Sequence, residues 1–400
     1  MVLQNKTQEE HLTSYVNRIM RIADITWGSS KQKFIVRYRG QLILDSEEAY
    51  EQISTLLKPL KITPLFRLDG DSHVVILIDG IIEPKRSNPL VNLLLFILTL
   101  LSVLLAGALY AYQGPSTDNI KELVISILRN MASGWPFAIS MLAILLAHEF
   151  GHYLAARYHK TSVTLPYFIP FPLSPFGTMG AFIQLKEPPR NKKILHDIGV
   201  AGPLSGLVVA IPVLIYGLYL SDVGQLPKVL PPGQVFEGNS ILYLFLKYLI
   251  HGELLPSPNT FGNLSPFIYW IRYFFTGMPL PSGGRDVLLN PVAWAGWAGL
   301  LVTALNLIPA GQLDGGHLIY VLLGEKAKRL FPVILGLLLL LGFVWSGWWL
   351  WAFLIFFLGR SYAEPLDQIT QLDSKRRAIA ILGLIIFVLV FTPVPLVGSY

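Results

Sequence analysis

Five stretches of this chain, 87–117, 198–221, 287–313, 330–359 and 378–400, contain no Asp, Glu, Lys or Arg. An apolar run of ~20 residues is what a helix needs to cross ~30 Å of hydrocarbon, where each backbone N–H and C=O must find its partner inside the segment. The run 330–359 has room for two short tilted spans broken at Ser346-Gly347. A further apolar stretch, from Pro136 to Ala156, holds the ionisable cluster of "LLAHEFGHYLAAR" (145–157). The expected fold class is a polytopic α-helical membrane protein of about seven spans. With 53% hydrophobic and 14% charged residues, the chain departs from soluble domains, which carry roughly a quarter charged residues.

The net charge of +6 is placed at the ends of spans, as topology determinants are, and not as a nucleic-acid footprint. Lys85 and Arg86 precede the first span. Arg157, Lys160, Lys186, Arg190, Lys192 and Lys193 lie between the second and third. Lys326, Lys328 and Arg329 follow the fourth, and Arg360, Lys375, Arg376 and Arg377 follow the sixth. If every span crosses once, these regions share the cytoplasmic side or its organellar equivalent, with the C-terminus opposite. The absence of cysteine excludes disulfides and thiolate-bound zinc. Residues 1–30 are mixed polar, with Glu9, Glu10 and Asp24, and do not read as a cleavable signal.

Residues 1–86 differ in composition and are expected to form a small cytoplasmic α+β domain, leaving 87–400 as the membrane-embedded domain. "KFIVRYRGQLIL" (33–44) alternates like a strand, and Asp45 with Glu48 has the pattern of a capping box opening a helix. "TPLFRLDGDSHVVILIDG" reads as two strands around Asp69-Gly70-Asp71, and an amphipathic helix is expected near residues 9–24. Between 221 and 286, "ILYLFLKYLI" and "PFIYWIRYFF" are too short to span and read as interfacial or re-entrant helices on the outer side.

His148-Glu149-Phe150-Gly151-His152 is an H-E-x-x-H pattern. On a helix, positions i and i+4 lie only ~40° apart in projection, so both imidazoles reach one metal ion with Glu149 beside them. Titratable groups at membrane depth are costly and mark function. A catalytic zinc wants three protein ligands and one open position. The elongated form of the motif would need Gly at 155 and His at 158. Here those positions hold Ala155 and Tyr158, and His159 comes one residue late. No Glu after position 152 lies inside an apolar span, so a helix-borne Glu ligand is also missing. Asp314 remains, at the end of "NLIPAGQLDGGH" (306–317), where Pro309 and Gly311 loosen the helix. His148 precedes the basic edge at Arg157 by nine residues, ~13 Å of helix, so it and Asp314 fall on the same side of the membrane.

The pairing of "HEFGH" with "NLIPAGQLDGGH" resembles the site-2 protease family of intramembrane zinc metalloproteases. "PFGTMGAFIQLKEP" (175–188) resembles the family's glycine-containing loop, "AGPLSGL" (201–207) its Ala-Gly-Pro segment, and "NPVAWAGWAGLLVTALNLIPAGQLDGGH" (290–317) its long later signature. The wording is nearest to the branch shared by plant plastid, cyanobacterial and archaeal members. The likeness covers roughly residues 85–395 and is weak over the N-terminal domain.

The resemblance implies that His148, His152 and Asp314 hold one zinc ion and that Glu149 is the general base. It implies transmembrane proteins as substrates, cut within or near their membrane segments. Asn306 is then either an oxyanion or substrate-backbone donor, or a side chain that satisfies a carbonyl freed by Pro309. His317 is either a partner of the ligand set or a solvated interfacial residue. Gly177, Gly180 and Phe182 are candidate substrate-binding positions, with "MGAFIQL" offering a strand edge to an unwound substrate segment. Neither a PDZ-like stretch in 221–286 nor a module after the last span is expected. The rival readings are a membrane zinc transporter or sensor, or a non-catalytic scaffold. Glu149 beside the first His argues for hydrolysis, since a pure binding site has no use for it.

Overall fold

Leu12 and Val16 bury one side of helix α1 (Val2–Asn17), which is followed directly by strand β1 (Met20–Trp27). The helix expected across 9–24 therefore stops at Asn17. From Met20 the chain pairs antiparallel with β2 (Val36–Leu42), and the β-branched Ile22, Ile25 and Thr26 suit that pairing better than a helix. Asp45 caps α2 (Ser46–Leu57) by accepting from the Glu47 backbone N–H. β3 (Ile62–Asp69) and β4 (Ser72–Asp79) form a hairpin whose turn residue Gly70 has φ 61°. The sheet order is β1-β2-β4-β3, and α1 and α2 pack on it around Tyr38, Ile53, Phe66 and Val75.

This computed structural model describes residues 2–29, 32–81, 83–84, 87–112, 120–228, 235–359 and 362–398. Lys85, Arg86 and Arg360 of the expected topology signal lie outside them. After α3 (Pro89–Tyr110) and α4 (Ile120–Arg129), a turn at Met131–Gly134 leads into α5 (Trp135–Tyr158). A hairpin of β5 (Tyr167–Pro170) and β6 (Thr178–Phe182) precedes α6 (Lys192–Tyr219). Among the described residues three helical stretches are long and apolar enough to cross a membrane: Pro89–Tyr110, Met131–Tyr158 and Lys192–Tyr219.

The next segment is made of β7 (Asp222–Gln225), β8 (Val235–Glu237), α7 (Ile241–His251), α8 (Pro266–Thr276) and β9 (Arg285–Leu288). Ser240 and Ser265 cap its two helices, and Gly252 and Gly277 end them at positive φ. The other charge-free runs form shorter helices. α9 (Pro291–Asn306) is separated from α10 (Asp314–Leu323) by a break at Pro309. Run 330–359 divides into α11 (Phe331–Leu341) and α12 (Gly347–Leu358), and α13 (Ser374–Val390) is followed by β10 (Leu396–Gly398), paired with β8.

Small residues set the spacing of the central helices. A Cβ on Gly151 of α5 would stand 2.5 Å from the Ala201 carbonyl oxygen of α6, and one on Gly296 of α9 would stand 2.6 Å from Leu214 Cα. Such close backbone approach gives the helices extensive van der Waals contact, which is how small residues favour association of apolar helices.

The N-terminal sheet is joined to this bundle through backbone. Residues 366–368 lie between β3 and the chain just before α6: Phe66 N–H donates to Leu366, Gln368 N–H to Phe66, and Asp367 N–H to Arg190. The Asp367 carboxylate, with 0% of the residue exposed, accepts from Ser46 Oγ, from the Ile369 and Thr370 amides and from Thr370 Oγ1.

Candidate metal centre and substrate cleft

On α5, His148 and His152 occupy successive turns of one face, and both are buried with Glu149. The face they point to is α6, where the sequence "GVAGPLSG" (199–206) offers bare backbone. A Cβ on Gly206 would approach the His148 ring to 3.2 Å, and one on Gly202 would fall on the His152 ring. Between α9 and α10 the chain turns at Ile308–Gly311. Pro309 has no N–H to continue the helix, and Gly311 takes φ 56° against Gly359. The turn carries Asp314 to the start of α10, facing the two imidazoles.

The donor atoms converge. His148 Nε2 and His152 Nε2 are 3.2 Å apart, and each lies 3.3 Å from an Asp314 carboxylate oxygen. Ligands at zinc–nitrogen and zinc–oxygen distances of ~2.0–2.1 Å in a tetrahedral site stand about 3.3 Å from one another, so this triangle fits one such ion with its fourth corner open. Two imidazole nitrogens and a carboxylate are also a donor set that catalytic zinc takes, with the fourth position left to water. His152 Nδ1–H donates to the Ile198 carbonyl at 2.7 Å, which leaves the Nε2 lone pair directed into the triangle. Asn306 Nδ2 stands 3.2 Å from His148 Nε2, at the rim of the triangle.

Two cavities meet at the triad. One, about 240 Å³, is largely apolar, with Met141, Phe176, Gly180, Leu301, Trp345 and Trp351 in its wall. The other, about 200 Å³, is walled by Phe182, Ile183, Gln312 and His317 together with His152 and Asp314. His148, Glu149, Ala181 and Asn306 border both. Thus β6 and its continuation run past the triad from one cavity to the other, and the Ile183 backbone amide approaches the Glu149 carboxylate.

The glycine-loop positions separate by role. Gly180, φ 98°, opens onto the apolar cavity with free space where a Cβ would be. Gly177, φ 71°, packs against the Ser102 backbone of α3 and receives the Ser102 hydroxyl, so it seats the hairpin on α3. Phe182 stacks on Tyr167 with ring centres 5.4 Å apart. His159, beyond the motif, turns to Asp197, which Arg376 also grips through two hydrogen bonds. His317 is half-buried, with its Nδ1 enclosed. The glycines behind the histidines, and Trp345 and Trp351, escaped the sequence reading. The i, i+3, i+7 spacing of Gly199, Gly202 and Gly206 was the available sign of a face made for close contact.

Residues 136–343 of the chain match the model of peptidase family M50. A probable zinc metalloprotease EGY1, chloroplastic, of Oryza sativa subsp. japonica is 31% identical over 341 residues, covering 79% of this chain and 53% of the relative. The Arabidopsis thaliana protein of the same name is 31% identical over 273 residues, covering 65% and 43%. A probable zinc metalloprotease EGY2, chloroplastic, of Oryza sativa subsp. indica is 31% identical over 260 residues, covering 64% and 42%. The chain spans about half the length of these relatives or less. No solved structure matches it.

Proposed function

Since this chain belongs to peptidase family M50, we propose that it is an intramembrane zinc endopeptidase that hydrolyses peptide bonds within or near transmembrane segments of other proteins. The observation that carries this is the placement of buried Glu149 beside the His148–His152–Asp314 triangle, at the meeting point of an apolar cavity and a strand edge. A site built only to store or pass zinc has no need of that carboxylate or of the cleft.

His148, His152 and Asp314 would hold the zinc ion, which when bound polarises a peptide carbonyl and makes water ionise near neutrality. Glu149 takes the proton from the attacking water and returns it to the nitrogen of the leaving amine. Asn306 supplies the amide N–H that donates to the oxyanion developing at the scissile carbonyl. Zinc would engage the His148 Nε2 lone pair, which would free the Asn306 amide for that role. A peptide locked in a helix hides its carbonyls, so the substrate unwinds and pairs along β6 from Gly180 to Phe182, its side chains entering the apolar cavity.

Residues 87–400 make up a membrane domain of about seven spans, with α11 and α12 as the short pair in run 330–359. Residues 1–86 form a domain on the cytoplasmic or equivalent side, and the dense basic flanks support that orientation. The test is cleavage of a single-span substrate in detergent by the wild type and by Glu149→Gln, with bound zinc measured in both. Expected are equal zinc and a loss of activity of about 10²–10⁴-fold in the variant. Zinc bound but no cleavage by wild type across a broad panel would favour transport or sensing instead.

A further inference from the structure

Three histidines are seated on glycines of α6. His148 lies against Gly206 and His152 against Gly202, and a Cβ on Gly199 would come within 2.9 Å of His317 Cβ. Spacings of three and four residues put these glycines on one face of the helix. Two of the imidazoles direct Nε2 into the metal triangle, and the third does not belong to it. His317 stands one turn beyond Asp314 on α10 and lines the cavity that also holds Glu149, Ala181, Phe182 and Ile183.

The ring of His317 is oriented by what it lacks. Its Nδ1 is enclosed and has no hydrogen-bond partner among the described residues. A neutral imidazole carries its proton on one nitrogen only, and an enclosed N–H without an acceptor is rarer and costlier than an enclosed lone pair. For the neutral ring this places the proton on Nε2, which makes that nitrogen a donor on a residue lining the cavity. No side chain of this protein accepts from it among the described residues. Metal ligation does not use it, and neither does the proton path through Glu149.

We infer that His317 is a substrate-binding residue whose Nε2–H donates to a backbone carbonyl of the peptide lying along the continuation of β6, on the Ile183 side of the scissile bond. This rests on the protease reading above. A carbonyl held there is fixed at both flanks: β6 aligns the strand, and His317 sets how far it advances past Glu149. The glycine berth serves the same end, since a side chain at position 199 would push the ring into the cavity.

The experiment uses the zinc-loaded full chain in detergent and a fluorescein-labelled single-span peptide. Binding is read in a Glu149→Gln background, where the peptide is held without turnover, and kcat and KM are read in the Glu149 background. His317→Phe keeps the ring volume and removes the donor; His317→Gln restores an N–H. The expected result is an affinity weaker by about tenfold for His317→Phe, with zinc content unchanged and KM affected more than kcat. His317→Gln should recover most of the loss. Three results overturn the inference: wild-type binding by His317→Phe, equal loss in both variants, which would make the role packing alone, or loss of zinc from His317→Phe. If the wild type neither binds nor cuts the peptide, the protease reading fails and the role of His317 falls with it.

Discussion

The imidazole of His152 occupies the space that a side chain on Gly202 would need. Helices α5 and α6 thus approach until a metal-facing ring rests on bare backbone, and its Nδ1–H reaches the Ile198 carbonyl one turn away. The geometry of the triangle rests on that contact together with its three donor residues.

Gly202→Ala is therefore expected to displace His152. Overpacking of a filled interior typically costs about 1–3 kcal/mol, and metal sites lose affinity when a ligand moves by roughly 0.5 Å. Zinc per protein, measured by elemental analysis, should fall well below stoichiometric in Gly202→Ala. Gly206→Ala, where a Cβ would stand 3.2 Å from the His148 ring, should keep most of its zinc. Full occupancy in Gly202→Ala would show that the close approach is incidental.

Chelation should destabilise the wild type. An ion held only by the folded protein at 100 times its dissociation constant contributes about 2.7 kcal/mol. A strong chelator should lower the thermal midpoint of the wild type, and the shift should vanish in Asp314→Ala, which lacks one corner of the triangle. Equal shifts in both proteins would place the stabilising metal elsewhere.

Asp367→Ala should loosen the N-terminal sheet from the bundle while sparing the metal. The variant loses a buried carboxylate that takes the Ser46 hydroxyl and the Ile369 and Thr370 amides, bonds worth about 1.5–3 kcal/mol each when an ion is involved. Hydrogen exchange should rise across α2 and residues 366–370, with zinc content unchanged. Unaltered exchange there would mean that the backbone pairing of Phe66 with 366–368 suffices.

Trp351→Ala should widen the apolar cavity beside Glu149. Substrates with a bulkier residue next to the cut are then expected to gain about tenfold in kcat/KM relative to small ones, the scale on which hydrophobic pockets discriminate. Cleavage of an Ala, Leu and Phe series at that position reads this directly. An unchanged preference would remove the cavity from the substrate path.

Local periodicity was readable in advance because it needs no partner. Four residues of helix bring His148 and His152 onto one face wherever that helix sits, and Asp45 caps α2 with its own neighbour's N–H. Charge-free runs marked the apolar helices, although Pro309 and Ser346-Gly347 left several of them shorter than a span. The β1 strand was not readable. Residues 20–27 are helix or strand according to whether β2 lies alongside, and that is a tertiary fact.

The sequence by itself determined the shared face of the two histidines and the adjacent Glu149, since both follow from spacing along one helix, whereas bringing Asp314 of α10 to them took the turn after α9. Tertiary structure alone decided that Gly177 seats on α3, that His159 turns to Asp197 and that His317 enters the cleft. It also decided that Asp367 receives a hydroxyl from Ser46, 321 positions away. Contacts over such separations are chosen by which helices can approach closely and which buried polar groups find partners, and no repeat along the chain records either.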